Sequence, residues 1–182
     1  PLSDWAQLAG GGDWRMKDTA KYIDNRSNYF IGALFDVVDS PNTTLSLGGF
    51  YGYLDVAYMN STLTEIPKYA DFTPVDDYSS DDIYLKLALR WNITDTITFT
   101  EQADFVQMLK DTEYYFWLVD LGFEFKIAKN FSLTTSYTME YDHSMFTEAV
   151  QNYFDERRAV GKPAGNMEDL DTSISVGIKI SF

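Results

Sequence analysis

The sequence has no cysteine and a single histidine, His143. The first absence excludes disulfides, thiolate metal sites and a cysteine nucleophile. The second leaves one imidazole for any metal or acid–base chemistry. No run of roughly 18 apolar residues occurs, so no helix of transmembrane length is encoded. Cations are scarce: 14 Lys and Arg stand against 28 Asp and Glu, a net charge of −14. That balance argues against partners recognised through bulk positive charge, nucleic acid above all. The five prolines all fall outside the periodic segments that follow. The 182 residues suffice for one domain with a sizeable core. The sequence opens on Pro1 rather than Met, which reads as a trimmed product or a piece of a longer chain.

What the chain does contain is alternation with period two, the mark of a β-strand with unlike faces. Its last residues, "SISVGIKISF", place Ile174, Val176, Ile178, Ile180 and Phe182 on one face and Ser173, Ser175, Gly177, Lys179 and Ser181 on the other. The stretch "IYLKLALRWNI" sets Ile83, Leu85, Leu87, Leu89, Trp91 and Ile93 against Tyr84, Lys86, Ala88, Arg90 and Asn92. "YYFWLVDLGFEFKI" and "NFSLTTSYTMEYD" behave likewise, with Asp120, Glu124, Lys126 and Glu140 on their polar faces. "NYFIGALFDVV" gives a further strand. Two segments are less clean. "LSLGGFYGYLDVAY" points Phe50, Leu54, Val56 and Tyr58 one way and Tyr51, Tyr53 and Asp55 the other. "ITFTEQADFVQML" puts Glu101 on the apolar face, which reads as a bulge or register change.

Seven strands are therefore expected, at 28–38, 44–59, 82–93, 96–109, 113–127, 130–143 and 171–182. Tight turns ("DSPNT", "TDT", "AKN") alternate with longer connections at 60–81 and 144–170. That order makes an antiparallel up-and-down meander, expected to close as a barrel. Alternation alone does not say which face is outside. Small Ser, Thr and Gly dominate the polar face, together with Lys86, Arg90, Asp120, Glu124, Lys126, Glu140 and Lys179. This suits a narrow interior filled by a self-neutralising ion network. Aromatics gather at strand ends on the apolar face. Tyr29, Tyr58, Tyr115, Trp117 and Tyr141 lie toward the long connections; Phe35, Trp91, Phe99, Phe125, Phe131 and Phe182 lie toward the short turns. Two such belts suit the two interfaces of a bilayer.

The terminal strand ending on Phe182, with the alternation over 28–182, resembles the small outer-membrane β-barrels of the OmpA-transmembrane, OmpX and Opa class. The resemblance implies an integral outer-membrane barrel, most often of eight strands. Ile174, Val176, Ile178, Ile180 and Phe182 would then form a lipid-facing signal read by the barrel assembly machinery. An eighth strand is thus sought in residues 1–27, with Leu2 to Ala9 the candidate. "SDWAQLAGGG" also reads as a short helix or plug capped by Ser3 and stopped by Gly10, and earlier strands of a longer chain are the further alternative.

Candidate chemistry is sparse. His143 with Ser144 and Glu140 or Asp142 suggests a hydrolase, because lipid A deacylases of small-barrel fold use such a set. Adjacent strand residues face opposite ways, however, so a rim histidine is the favoured reading. Asp71, Asp76, Asp77, Asp81 and Asp82 are dense enough in oxygen to hold Ca²⁺, or to bridge through Mg²⁺ to lipopolysaccharide. Their spacing is not that of an EF-hand, and a solvated loop is favoured. No other cofactor is suggested. "SMFTEAVQNYFDERRAVG" predicts an amphipathic helix with Ser144 as N-cap and Gly161 as stop, capping the barrel mouth or docking a partner. Sequons at Asn42, Asn60, Asn92 and Asn130 fall mostly in turns and carry little weight. The expected role is surface binding, adhesion or envelope anchoring through acidic loops, not enzymatic. The expected partners are outer-membrane lipid and an envelope protein. A small porin, a lipid-modifying hydrolase and a soluble ligand-binding barrel are the alternatives.

Overall fold

The computed structural model describes residues 6–18, 23–58, 60–165 and 170–180. Eight strands follow one another: β1 (Ala6–Asp18), β2 (Ile23–Asp39), β3 (Thr43–Tyr58), β4 (Tyr78–Asn92), β5 (Ile97–Met108), β6 (Tyr115–Ala128), β7 (Phe131–His143) and β8 (Leu170–Ile180). Each pairs antiparallel with its chain neighbour, giving one up-and-down sheet ordered β1 to β8. The short turns are built as their sequences suggest. Ser40 Oγ accepts from Thr43 N (3.0 Å) between β2 and β3. Thr94 Oγ1 accepts from Ile97 N (3.0 Å) between β4 and β5.

The sheet curls strongly. The Arg26 guanidinium of β2 lies 4.8 Å from the ring centre of Phe116 on β6, across the concave side. Phe30, Phe50 and Tyr84 pack there with centroids 5.2–5.4 Å apart. The alternation now acquires its sense. Concave positions carry Ser46, Asp82, Tyr84, Lys86, Asp104 and Asp120, while the convex face carries Ile31, Leu85, Ile174, Val176 and Ile178. Those five convex residues are 50–77% exposed. On β8 both faces are exposed, and among the described residues no hydrogen-bonded pairing joins β8 to β1.

The eighth strand sought in residues 1–27 is present at 6–18, and the alternative helix stopped by Gly10 is not; Gly10–Gly12 run through the strand, paired with Ile31, Phe30 and Tyr29. The rest of the Leu2 to Ala9 candidate, Leu2–Trp5, lies outside the described residues, as does Phe182. Three expectations change. β2 begins at Ile23, well before 28. β5 runs without a register shift against either neighbour, so Glu101 takes its place on the convex face opposite Leu89 and Leu121. Tyr58 is not on the outer aromatic belt: it points inward and is 8% exposed, because the connection following it folds over the concave side.

Glycine has a spatial role at Gly32. A Cβ there would overlap the Gly49 carbonyl oxygen and come within 2.6 Å of Phe50 Cα, so β2 and β3 approach where no side chain fits. Gly49, with nothing within 4 Å of its would-be Cβ, is the control. Gly32→Ala is expected to lower stability by about 1–3 kcal/mol, and Gly49→Ala to be neutral or slightly stabilising. Denaturant midpoints of the two variants check this; equal midpoints would contradict it.

Candidate functional site

The two ends of the curled sheet differ. At the end carrying the long connections, β3 turns Leu54, Val56 and Tyr58 inward, and Tyr78 of β4 and Met108 of β5 join them. Over these side chains lie α1 (Asn60–Thr64), a 3₁₀ turn at Pro67–Tyr69, and α2 (Met145–Ala159). Leu63, Tyr69 and Phe72 from the first connection and Phe146, Val150 and Phe154 from α2 complete a buried apolar core. Tyr58 stacks on Phe146 at 4.8 Å. The chain is fixed where it must be. Asn60 clasps Val75 in both directions, Nδ2 to the carbonyl (2.7 Å) and Val75 N to Oδ1 (2.8 Å). Asp77 Oδ1 accepts from Tyr58 N (3.2 Å).

α2 begins and ends as its sequence indicates. Ser144 is the N-cap, its hydroxyl accepting from Thr147 N (3.3 Å), and Gly161 follows the helix at φ +71°. Its apolar face, Phe146, Val150 and Phe154, is buried in the core over the concave side at this end. The cap is tied together by Arg157, which is 7% exposed. Arg157 Nη1 donates to Asp71 Oδ1 (2.8 Å) and to Tyr153 Oη (3.0 Å), and Nε donates to the Pro163 carbonyl (2.9 Å). Its guanidinium lies 5.3 Å from both the Tyr69 and Tyr153 rings. Asp71 also accepts a hydrogen bond from the Tyr153 hydroxyl, and Lys162 lies 3.7 Å away. The Tyr153 hydrogen bond, then the Arg157 charge, hold the Asp71 carboxyl below its ordinary value. Burial, aided by Glu148, raises Tyr114 to about 12.

The other end is polar and open. A cavity of about 490 Å³ at the short turns is lined by Asn92, Arg90, Glu124, Lys126, Lys129 and Ser132, among others. A second, of about 600 Å³, continues inward along Arg90, Thr100, Gln102, Asp120 and Ser136. Arg90, Glu124 and Lys126 line the first cavity, Asp120 the second, and Glu140 lies deeper on the concave side beside Arg26 and Tyr84. Lys179 pairs with Glu124 (3.0 Å), and Thr138 donates to Asp120. Lys86 pairs with Asp104 (3.5 Å), which also accepts from Tyr84 Oη (2.6 Å) and Gln102 (2.6 Å). Asp104 and Arg26 share this concave face and are not among the sequence candidates; Asp82, a candidate of the acidic loop, lies instead within β4 and faces the same side. Asp82 is fully buried and, among the described residues, neither carboxylate oxygen is hydrogen-bonded; its Oδ1 is set against the bare Cα of Gly52.

The remaining candidates are dispersed. Asp81 faces outward and Asp82 inward; Asp77 is bonded to the β3 backbone and Asp76 is exposed. Among the described residues no three His, Asp or Glu side chains converge as a metal site would require. His143 lies at the outer end of β7, its ring packed near Tyr115 (5.7 Å) and Tyr141 (6.4 Å), while the Ser144 hydroxyl serves the helix cap. On the convex face Tyr115, Tyr141 and Trp117 form a stacked row with centroids 5.7 Å apart. Tyr29 and Trp91 are exposed on that face, and Phe131 is half-buried.

A family model described as "Protein of unknown function, DUF481" matches residues 4–153, a span that takes in β1 through β7 and over half of α2. No curated protein matches the chain.

Because Asp71 is held below its unfolded value of about 4, the cap gains stability from it above that value and loses it as pH falls through the folded pKa. Amide protection of α2 is expected to fall on acidification below about pH 4. In Asp71→Asn that step should vanish, with protection lower throughout because Arg157 loses its anion. Hydrogen–deuterium exchange of residues 145–159, corrected for intrinsic rates, checks this; an unchanged acid step in the variant would contradict it.

Proposed function

The chain belongs to the DUF481 family, and we propose that it is an integral outer-membrane β-barrel, closed by pairing β1 with β8, that does not conduct. Its capped end serves as an acidic surface-binding or anchoring platform. The observation that carries this reading is the inversion of faces. Ile174, Val176, Ile178 and Ile31 stand 60–77% exposed on the convex side, while the concave side holds ion pairs and hydroxyls. A soluble barrel has the reverse arrangement, and an apolar surface of this extent in water invites association. Facing hydrocarbon, the same side chains are at home, with the Tyr115–Trp117–Tyr141 row at one interface and Trp91, Phe99 and Phe131 toward the other. The closure follows from the same solvent: unpaired edge groups of β1 and β8 are costly in lipid. The antiparallel order and the reach of β2 to β6 favour their meeting. The likeness of the terminal strand to the assembly signal of small outer-membrane barrels supports recognition by the assembly machinery.

The cap core supports the non-conducting role, because packed aromatics cover the end that carries the long connections. Its outer surface exposes Glu65, Asp71, Asp76, Glu148, Asp155 and Glu156. Such a surface suits a cationic partner in the envelope, or lipopolysaccharide phosphates bridged by Ca²⁺ or Mg²⁺. Fractionation with heat-modifiability tests the proposal. The expected result is a membrane-associated, fast-running band that slows on boiling, and no conductance steps in planar bilayers. A protein monodisperse without detergent would overturn the membrane reading, and discrete conductance would overturn the closed role.

A further inference from the structure

We propose that the polar cavity at the short-turn end is a binding site for a small anion bearing a carboxylate or phosphate. Scarce cations collect there. Of the 14 Lys and Arg, Arg90, Lys126 and Lys129 line the 490 Å³ cavity, and Lys179 lies beside it bound to Glu124. Only two acids, Asp95 and Glu124, line the same space. A chain of net charge −14 thus turns a local excess of positive charge into one pocket.

Three features distinguish this from an internal network that neutralises itself. First, other cations of the concave face are matched, Lys86 with Asp104 at 3.5 Å and Lys179 with Glu124 at 3.0 Å. The side chains of Arg90, Lys126 and Lys129 make no hydrogen bond or ion pair among the described residues, Arg90 acting on Glu124 only through space. Second, Arg90, though it points to the concave side, is exposed, and it lines both the outer cavity and the 600 Å³ one above it. Its fork is therefore open to a ligand entering from the short turns and shaped for two oxygens of one oxyanion. Third, the path leads inward to the Phe30–Phe50–Tyr84 cluster and then the cap core, so the space is a pocket with a floor. Asn130 and Ser132 supply further polar groups on the wall. The inference is independent of whether the convex face meets lipid.

The test is calorimetric titration of the purified, detergent-solubilised protein at low salt with pyrophosphate and with citrate. Saturable one-to-one binding is expected. Arg90→Gln should weaken it about tenfold or more, and Lys126→Gln provides the same test should Arg90→Gln not fold. Glu124→Gln should tighten binding, because it removes a carboxylate and releases Lys179; a merely structural role for the pair would not do so. Lys110→Gln, at the capped end, should leave affinity unchanged. Preference for pyrophosphate would point to a phosphate ligand, and preference for citrate to a carboxylate. Absence of saturable binding for both probes would overturn the proposal. So would equal losses in Arg90→Gln and Lys110→Gln, or weaker binding in Glu124→Gln.

Discussion

The hydrogen-bonded ladder from β1 to β8 is the constraint on which the rest of the molecule depends. Where register is continuous, as it is outside the shifts near Ile23 and Asp36 in β2 and Lys126 in β6, each residue is assigned to the convex or the concave side. Glu101 illustrates the force of this rule. A bulge would have turned it inward, but β5 keeps its register against both β4 and β6, and the carboxylate stays among Leu89 and Leu121. Gly32 shows the same constraint from the other side, since the ladder brings β2 and β3 together where only hydrogen can sit.

The ladder also explains why the two ends differ. Short turns add nothing to cover the concave side, so water reaches Arg90 and Thr100. The long connections carry enough apolar side chains to build a core of their own over Leu54, Val56 and Met108. Within that core one charged group is used structurally: Arg157, buried but held by Asp71, Tyr153 and Pro163. Asp82 is the counterexample, a buried carboxylate with no such partner among the described residues.

Much of this was legible in the sequence, and the failures have physical causes. β4, β7 and β8 declare their faces because polar and apolar residues alternate along them, and β6 does so from Asp120 onward, after its apolar start at Tyr115–Val119. β3 does not, because its last third faces the cap: Leu54, Val56 and Tyr58 are apolar and inward, opposite to the rule governing its neighbours. That is also why Tyr58 reads from the sequence as a member of the outer belt. β1 was obscured by Gly10–Gly12, which offer no side chains to read. α2 was legible from Ser144 and Gly161, since caps are local signals. The Arg157–Asp71 pair was not, because 86 residues separate its members and only the fold brings them together. Asp104 faces Lys86 directly across the β4–β5 hairpin, a pairing that the register change read into β5 conceals.

The central claim is that the apolar convex face meets lipid and the polar concave face does not. The chain has no native cysteine, so single cysteines can be placed and spin-labelled without background. Labels at successive positions 83–89 of β4, in protein reconstituted into vesicles, would report collision with lipid-soluble oxygen and with a water-soluble nickel chelate. The account predicts a period of two, with oxygen favoured at Ile83, Leu85, Leu87 and Leu89 and suppressed at Tyr84, Lys86 and Ala88. Chelate access at the odd positions equal to that of oxygen, or an inverted alternation, would contradict it.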